Sequence, residues 1–165
     1  MKTLLLLRHA QPSPTSPTGR DFDRPLVEKG RRAASLVGQL LRRRQLTPGL
    51  VISSPAARAQ QTAEHVIAAA KFTTRLLFDR RAYEATAEQL IELISEVEDE
   101  VETVLFVAHN PGLQELLTGL TGSHAPMLPA TLARIDLDID DWNKLRASQA
   151  GQLIFALSPE ASEGH

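Results

Sequence analysis

Two hydrophobic patterns alternate along the chain. Short continuous apolar runs are typical of strands buried on both faces of a sheet, and residues 4–7 form the first such run. Between these runs, apolar residues recur at every third or fourth position, as on one face of a helix. The segment from about residue 27 to residue 45 has this pattern and predicts a helix. Its expected inner face consists of Ala33, Ala34, Val37, Leu40 and Leu41.

The same two patterns predict the remaining elements. Strands are expected at residues 50–53, 75–78, 103–108, 131–137 and 151–157, of which 75–78 has the weakest pattern. Further helices are expected after Pro55, over residues 88–97 and from Pro111 onward. Ser54 lies just before Pro55, which favours a side-chain cap at the start of the second helix. Three prolines within residues 11–19 indicate a loop.

The order of these elements predicts an α/β fold. Strands that alternate with helices form mainly parallel sheets with helices on both faces. We therefore expect a three-layer α/β/α sandwich with a mainly parallel, mixed central sheet. The last strand follows another strand directly and is expected as an edge or antiparallel addition. No repeat or linker divides the sequence, so residues 1–158 are expected to form one domain and residues 159–165 a short disordered tail.

The composition limits the classes of function that need to be considered. The chain has 165 residues, a formal net charge of −2 and no cysteine. The small negative charge provides no field that would attract nucleic acid or an anionic membrane, so neither is expected as a partner. The absence of cysteine excludes disulfides, thiolate metal sites and cysteine nucleophiles. The first apolar run stops at Arg8, too early for a signal peptide or a membrane span, so a cytoplasmic location is expected.

Cationic and ionisable side chains follow the predicted strands. Arg8 and His9 come directly after the first strand. Arg58 lies about one helical turn after the second strand, and His109 follows the strand at residues 103–108. In α/β sheets, ligands bind beyond the carboxyl ends of the strands. We therefore expect these four side chains to lie close together at that edge of the sheet.

These residue types suit phosphoryl transfer. An arginine guanidinium matches the oxygens of a phosphate and neutralises their charge. A neutral imidazole can attack phosphorus and form a phosphohistidine, and a second, protonated imidazole can stabilise the charge on the transferring group. Helix N-termini after Ser54 and Asn110 would direct further N–H groups at the anion. Each residue alone has an ordinary structural or solvated role as its alternative, so the hypothesis depends on the cluster.

Longer motifs around these residues resemble a known family. Arg8-His9-Ala10 resembles the Arg-His-Gly or Arg-His-Ala signature of the histidine phosphatase superfamily, which includes phosphoglycerate mutases. Residues 53–63 resemble its second motif, Ser-Pro-x-x-Arg-Ala-x-x-Thr, and residues 107–111 resemble its third, a histidine at a strand end. The segments at residues 21–26 and 83–85 are similar to those of the small SixA-type phosphohistidine phosphatases. The resemblance extends over nearly the whole chain.

The resemblance implies a fold and a set of catalytic roles. The fold would be that of the phosphoglycerate mutases. His9 would be the nucleophile, and Arg8 and Arg58 would hold the phosphate. His109 would be the second histidine of the pocket, where it stabilises the transferring group and contacts the phosphate. No metal and no cofactor are implied, because the positive side chains act where a cation otherwise would.

The proton donor has two candidates. Glu84 lies where many members of the superfamily carry the general acid that protonates the leaving oxygen. Asp21 lies in a segment that is near the pocket in SixA-like proteins, and it competes for the same role. The sequence also departs from the larger enzymes, which carry a polar residue, often Asn, where Gln11 and Pro12 stand here. Long inserted lids that select small metabolites have no room in 165 residues.

Three functions remain open. The first is removal of phosphate from a phosphohistidine on a protein, such as a phosphotransfer domain, which an open pocket would suit. The second is hydrolysis of a small phosphorylated metabolite by the same fold and nucleophile. The third is a non-catalytic module that binds a phosphorylated ligand. The partner is accordingly expected to be a phosphorylated protein or a small phosphorylated substrate.

Other charged and ionisable residues are expected outside the site. His65 is interpreted as a surface or boundary residue of the second helix, and His165 as part of the tail. His124 lies in a loop that could border the pocket. The basic residues between Arg31 and Arg44 are interpreted as a solvated helix face, because the chain lacks a net positive charge and interleaved aromatic residues.

Overall fold

A six-stranded sheet forms the centre of the protein in a computed structural model, which describes residues 1–147 and 151–159. The strands, β1 to β6, are Lys2–Arg8, Leu50–Ser53, Leu76–Phe78, Thr103–Ala108, Leu132–Leu137 and Gly151–Leu157. The helices, α1 to α4, are Glu28–Arg43, Ala57–Ala70, Ala87–Ser95 and Gly112–Thr121. Short 3-10 turns lie at Asp21–Asp23, Arg80–Ala82 and Trp142–Lys144. Of the predicted tail, residues 160–165, including His165, lie outside the described residues.

The strand order in the sheet is β3-β2-β4-β1-β5-β6. The first four strands in this order are parallel to one another, whereas β5 pairs antiparallel with β1 and β6 pairs antiparallel with β5. The prediction of an α/β fold with a mainly parallel, mixed sheet is therefore confirmed, and β6 is the antiparallel edge strand that the sequence indicated. The strands β1, β4 and β2, which precede the polar cluster, are neighbours in the middle of the sheet.

The apolar run in β1 contributes to two separate cores because successive strand residues point to opposite faces. Leu4 and Leu6 pack with α3 and α4 on one face of the sheet. Leu5 and Leu7 pack with α1 and α2 on the other face. All four leucines have no exposed surface. Burial on both faces explains why this strand is continuously apolar rather than alternating.

The start of α2 differs from the prediction. The expected Ser54 cap is wrong, because the helix begins at Ala57 and Ala56 is its N-cap residue, without a side-chain cap. The Ser54 hydroxyl accepts a hydrogen bond from the amide of Ala56 at 3.2 Å, but it lies before the helix. Pro55 likewise precedes the helix instead of forming its first turn. Leu40 of the predicted inner face of α1 is only partly buried.

Two glycines allow α1 to pack very closely against its neighbours. A Cβ atom on Gly38 would lie 2.4 Å from the carbonyl oxygen of Val66 in α2. A Cβ atom on Gly30 would lie 2.4 Å from the carbonyl oxygen of Gln11, in the loop after β1. The Gln11 oxygen also accepts a hydrogen bond from the amide of Val27 at 3.1 Å. The N-terminal end of α1 therefore fixes the chain just beyond His9.

None of the helices among the described residues is both long enough and apolar enough to cross a membrane.

Candidate active site

Two histidines meet at the carboxyl ends of β1 and β4. The two strands are parallel neighbours, and their register places Arg8 beside Ala108. The next residue on each strand is a histidine, so the register itself brings His9 and His109 together. Their ring centroids are 5.1 Å apart and the rings are tilted by 51°. Both side chains are largely buried, with 5% of His9 and 9% of His109 exposed.

The hydrogen bond of His9 defines its tautomer. Its Nδ1 atom lies 2.8 Å from the backbone carbonyl oxygen of Ala10. A carbonyl oxygen can only accept a hydrogen bond, so the proton of the neutral ring is on Nδ1. The lone pair is then on Nε2. His9 therefore presents the nitrogen that a nucleophile needs.

The surroundings of His9 keep its ring neutral. Burial lowers its pKa to about 4, and the nearby Arg58 and Arg8 guanidiniums act in the same direction. The hydrogen bond to Ala10 opposes this shift without cancelling it. At neutral pH the ring is therefore unprotonated at Nε2 and able to attack an electrophile.

His109 has the opposite arrangement of partners. Its Nε2 atom lies 2.8 Å from the Ser54 hydroxyl. One lone pair of that hydroxyl accepts the Ala56 amide, and we assign its own proton to the bond with Nε2. The proton of the neutral His109 ring is then on Nδ1, a buried atom without a partner among the described residues. Burial, His9 and Arg58 lower the pKa of His109 to about 3.

Arg8 extends the cluster of buried donors. Its Nη1 atom donates a hydrogen bond to the carbonyl oxygen of Met127 at 3.2 Å, and the same oxygen accepts a bond from Asn110 at 2.9 Å. Its Nε atom is buried and has no partner within the described part of the chain. Burial and the like charge of the neighbouring Arg58 lower the pKa of Arg8.

Arg58 reaches the cluster from the first turn of α2. This turn follows β2, which pairs with β4, so Arg58 lies beside the two histidines. Its side chain is 9% exposed and donates one hydrogen bond to the backbone oxygen of Asp21 at 2.9 Å and another to the Asp21 carboxylate at 3.0 Å. The guanidinium is therefore held in place by Asp21.

Tyr83 links Asp21 to the second histidine. Its hydroxyl donates a hydrogen bond to the Asp21 carboxylate at 2.8 Å, and its ring contacts His109 edge-on at 5.5 Å. The bonds from Tyr83 and Arg58 lower the pKa of Asp21, so this carboxylate is ionised at neutral pH. Burial, together with Asp21, raises the pKa of Tyr83 to about 12.

Comparison with known proteins identifies the family of the chain. A model of the histidine phosphatase superfamily, branch 1, matches residues 4–81, which include Arg8, His9 and Arg58. An uncharacterised protein of Mycobacterium leprae is 36% identical over 124 residues, which cover 71% of this chain and 72% of that protein. The chain belongs to the histidine phosphatase superfamily.

Solved structures of the superfamily share the fold. A candidate phosphohistidine phosphatase SixA from Agrobacterium tumefaciens has a TM-score of 0.82 and 29% sequence identity, and the match covers 96% of this chain and 98% of that chain. The protein histidine phosphatase SixA complexed with tungstate has a TM-score of 0.82 at 21% identity, and the match covers 97% and 99% of the two chains. The similarity to the SixA-type branch that the motifs indicated is therefore confirmed.

A cleft of about 400 Å³ borders the cluster of this superfamily member at Arg58 and His109. Its lining includes Asp21, Arg58, Tyr83, Glu84, His109 and Glu115. Glu84 is exposed and has a φ of +56°, in the left-handed region where residues other than glycine are uncommon. Both proposed proton donors therefore lie at the cleft. His124 is exposed and is not part of this lining, and His65 is half-buried on α2.

Two contributors to the site lack a clear signal in the sequence. The carbonyl oxygen of Met127 binds both Arg8 and Asn110, but a backbone oxygen in a loop has no residue-type signature. Tyr83 lies beside Glu84 in a motif of the superfamily, yet only the structure shows its bond to Asp21. No group of three or more His, Asp or Glu side chains in the described ranges has the arrangement of a metal site.

Proposed function

We propose that the protein is a metal-independent phosphatase that forms a phosphohistidine on His9 and acts on phosphohistidine carried by a protein. One observation above all supports His9 as the nucleophile. The Nδ1 atom of His9 is bonded to the carbonyl of Ala10, which leaves the Nε2 lone pair free inside a buried, positively charged pocket. Membership of the superfamily supports phosphoryl hydrolysis as the class of reaction.

The first step transfers the phosphoryl group to His9. A phosphate that enters the pocket is held by Arg8 and Arg58, and it satisfies the buried Nε of Arg8 and Nδ1 of His109. The Nε2 lone pair of His9 forms a bond to phosphorus while the bond to the leaving group breaks. The leaving atom keeps the bonding electron pair and takes a proton from a general acid.

The second step releases inorganic phosphate. Water attacks the phosphorus of phosphohistidine from the side that the leaving group vacated. The P–N bond breaks, its electron pair returns to Nε2 of His9, and the water proton passes to the group that acted as the acid. The pocket cations stabilise the equatorial oxygens in both steps, with donors that are already in place before the substrate binds.

Glu84 is the proposed general acid. Asp21 accepts hydrogen bonds from Arg58 and Tyr83, which lower its pKa and favour the ionised form. Its oxygens are thus already engaged by two donors, whereas Glu84 lies exposed at the cleft. We assign Asp21 instead the role of orienting Arg58 until phosphate binds, and we assign proton donation to Glu84 at the cleft.

A phosphoprotein substrate is supported by two observations. The cleft opens to solvent beside the exposed residues Asp21 and Glu84, where a large substrate can approach. The Agrobacterium protein with 29% identity is described as a candidate phosphohistidine phosphatase. A phosphohistidine ring also needs less acid assistance than an alcohol, because imidazole is the better leaving group. Hydrolysis of a small phosphorylated metabolite is the alternative, since an open cleft admits small substrates too.

The nucleophile is tested by hydrolysis of p-nitrophenyl phosphate in excess chelator. His9→Ala should lower kcat by about a thousandfold, which corresponds to about 4 kcal/mol of transition-state stabilisation. His65→Ala, which removes a half-buried histidine of α2, is the matched control and should retain activity. Full activity of His9→Ala would exclude the mechanism. Tight phosphate binding without any turnover by the wild type would favour the non-catalytic module instead.

The substrate class is tested with a panel. A phosphohistidine phosphotransfer domain should be dephosphorylated with a higher kcat/KM than sugar phosphates or phosphoglycerates. Product release is measured as inorganic phosphate, with His9→Ala protein as the blank. The opposite order of kcat/KM would assign the enzyme to small metabolites while leaving the His9 mechanism in place.

A further inference from the structure

Two arginines lie close to the ring of Phe22, which contacts Tyr83 of the cleft lining. Arg20 precedes the 3-10 turn Asp21–Asp23, and Arg80 begins the turn after β3. The Arg20 guanidinium lies 6.0 Å from the centroid of the Phe22 ring, and the Arg80 guanidinium lies 4.8 Å from the same centroid. Both arginine side chains are exposed. Two cations from distant parts of the sequence are thus gathered around one ring.

The acidic residues around these arginines have other partners. Asp21 binds Arg58 and Tyr83. Asp23 accepts a hydrogen bond from Thr18, and Asp79 is paired with Arg81. Among the residues that the structure describes, no carboxylate forms an ion pair with Arg20 or Arg80. Their positive charge is therefore available to a group outside the chain.

Aromatic contacts connect the Phe22 ring directly to the phosphate pocket. Phe22 meets the Tyr83 ring edge-on at a centroid distance of 5.1 Å. Tyr83 in turn contacts His109 edge-on at 5.5 Å. A substrate that binds with its phosphoryl group at His9 and extends toward Tyr83 therefore lies beside the Phe22 ring.

We propose that Arg20 and Arg80 form a second anion site that binds a carboxylate or phosphate carried by the substrate beside the reacting phosphoryl group. Both guanidiniums lie within 6.0 Å of the Phe22 ring centroid, so an anionic group of the substrate that reaches this ring meets two positive charges. Stacking on Phe22 restricts both side chains before the anion arrives, which reduces the entropy lost on binding. The inference rests on the proposed function, because it concerns the substrate of the same pocket.

Two kinds of substrate carry such an anion. A phosphoprotein can present Asp or Glu side chains next to its phosphohistidine, and a small metabolite can carry a second phosphate. Both would meet the same guanidinium forks, which match planar carboxylates and phosphates alike. The site thus selects for negative charge next to the reacting group.

The double variant Arg20→Gln/Arg80→Gln tests the site. We compare kcat/KM for a phosphohistidine peptide flanked by Glu residues, the same peptide flanked by Gln, a diol bisphosphate and the matching monophosphate. The variant should lose about five- to tenfold in kcat/KM, mainly through KM, on the Glu-flanked peptide or on the bisphosphate, as expected for exposed ion pairs. The Gln-flanked peptide and the monophosphate should change by less than about twofold. Which of the two substrates is affected identifies the source of the anion.

Two further variants separate charge from structure. Arg42→Gln/Arg43→Gln removes the same charge at the C-terminal end of α1, which lies at the opposite end of the sheet from the pocket, and should leave every kcat/KM unchanged. Arg20→Lys/Arg80→Lys keeps the charge and should restore part of the preference. The preference should also weaken as salt is raised, because exposed charges are screened.

The outcomes distinguish this inference from the proposed function. An equal loss on all four substrates would overturn the second anion site, because the arginines would then only support the aromatic wall. Unchanged kcat/KM on all four substrates would overturn it as well. If the wild type hydrolyses none of them, the proposed function fails. Calorimetric binding of the Glu- and Gln-flanked peptides to His9→Ala protein, with and without the arginine substitutions, still tests the anion site in that case.

Discussion

At the scale of single residues, the two pocket histidines have opposite hydrogen-bonding patterns. His9 is bonded at Nδ1 to a carbonyl oxygen and offers the lone pair of Nε2. His109 is bonded at Nε2 to the Ser54 hydroxyl and offers Nδ1–H. In the proposed mechanism, this difference suits one ring to attack phosphorus and the other to donate a hydrogen bond to its oxygens. Two residues of the same type have different functions because their partners differ.

This difference predicts a role for Ser54 as a positioning residue. Ser54→Ala removes the donor to Nε2 of His109, so part of the population should adopt the other tautomer and kcat should fall about tenfold, the value of one hydrogen bond. Ser53→Ala is the matched control, since Ser53 is equally buried but its hydroxyl binds the carbonyl of Ser54. The control should retain kcat within about twofold. Equal losses of kcat in the two variants would show that Ser54 has only a packing role.

The choice of proton donor predicts a dependence on the leaving group. Glu84→Gln should lower kcat/KM on an alkyl phosphate by about a hundredfold, a usual contribution of general acid catalysis, and should have little effect on p-nitrophenyl phosphate. Asp21→Asn should change both rates by a similar factor, because it alters how Arg58 is held. A strong leaving-group dependence in Asp21→Asn instead of Glu84→Gln would reverse the assignment.

Residue types and strand ends were sufficient to predict which side chains would meet. Arg8 ends β1, His9 and His109 directly follow β1 and β4, and parallel neighbours place such residues side by side. The partners that orient them were not predictable in the same way. The oxygens of Ala10 and Met127 belong to the backbone, and a backbone oxygen is present at every position of a sequence.

At the scale of secondary structure, α1 connects packing with the site. Gly38 allows α1 to approach α2 in the core, and Gly30 allows it to approach Gln11, two residues after His9. Both contacts are to backbone oxygens, which move only if their own segment of chain moves. The same helix therefore holds the hydrophobic layer at one point and the pocket loop at another.

Two substitutions on this helix should separate stability from activity. Gly38→Ala and Gly30→Ala should each lower the free energy of unfolding by about 1–2 kcal/mol, because the clash outweighs the gain in helix propensity. Only Gly30→Ala should also lower kcat, on the order of tenfold to a hundredfold, because it displaces the loop after His9. Urea unfolding and p-nitrophenyl phosphate hydrolysis measure the two effects. Equal kcat values in the two variants would contradict this coupling.

The elements themselves were well predicted where one pattern dominated. The run at residues 4–7 and the helical spacing in α1 each permit a single interpretation, and the structure agrees with both. The start of α2 was predicted wrongly, because Ser54 and Pro55 are typical of a helix start. Here the Ser54 hydroxyl is hydrogen-bonded to His109, which lies more than fifty positions away. Preferences for helix caps depend on neighbouring residues and cannot predict such a bond.

At the scale of the whole molecule, the pocket should make folding sensitive to acid. His9 and His109 are buried as neutral rings, with pKa values of about 4 and about 3. In the unfolded chain a histidine has a pKa of ~6.5. Between this pH and the folded-state pKa values, the unfolded state therefore binds more protons than the folded state. The contribution of these rings to stability is therefore fully present above pH ~6.5 and is lost as the pH falls toward the folded-state values.

This linkage predicts the pH dependence of unfolding. The free energy of unfolding should fall between about pH 6.5 and pH 4, and His9 alone should contribute on the order of 3 kcal/mol to the decrease. His9→Asn should flatten the dependence in this window, whereas His65→Asn controls for the loss of a histidine outside the pocket. Urea titrations at pH 7.5 and pH 4.5 give the comparison. The same decrease in both variants would show that the pocket is not its cause.

The bond between His9 and the Ala10 carbonyl also bears on how this enzyme can evolve. Every amino acid at position 10 keeps a backbone carbonyl, so no missense change there can delete the group that sets the tautomer of the proposed nucleophile. The corresponding partner of His109 is a side chain, and one substitution at position 54 removes it. Changes at position 54 can therefore alter the second histidine through its partner, while the backbone bond of the proposed nucleophile is retained.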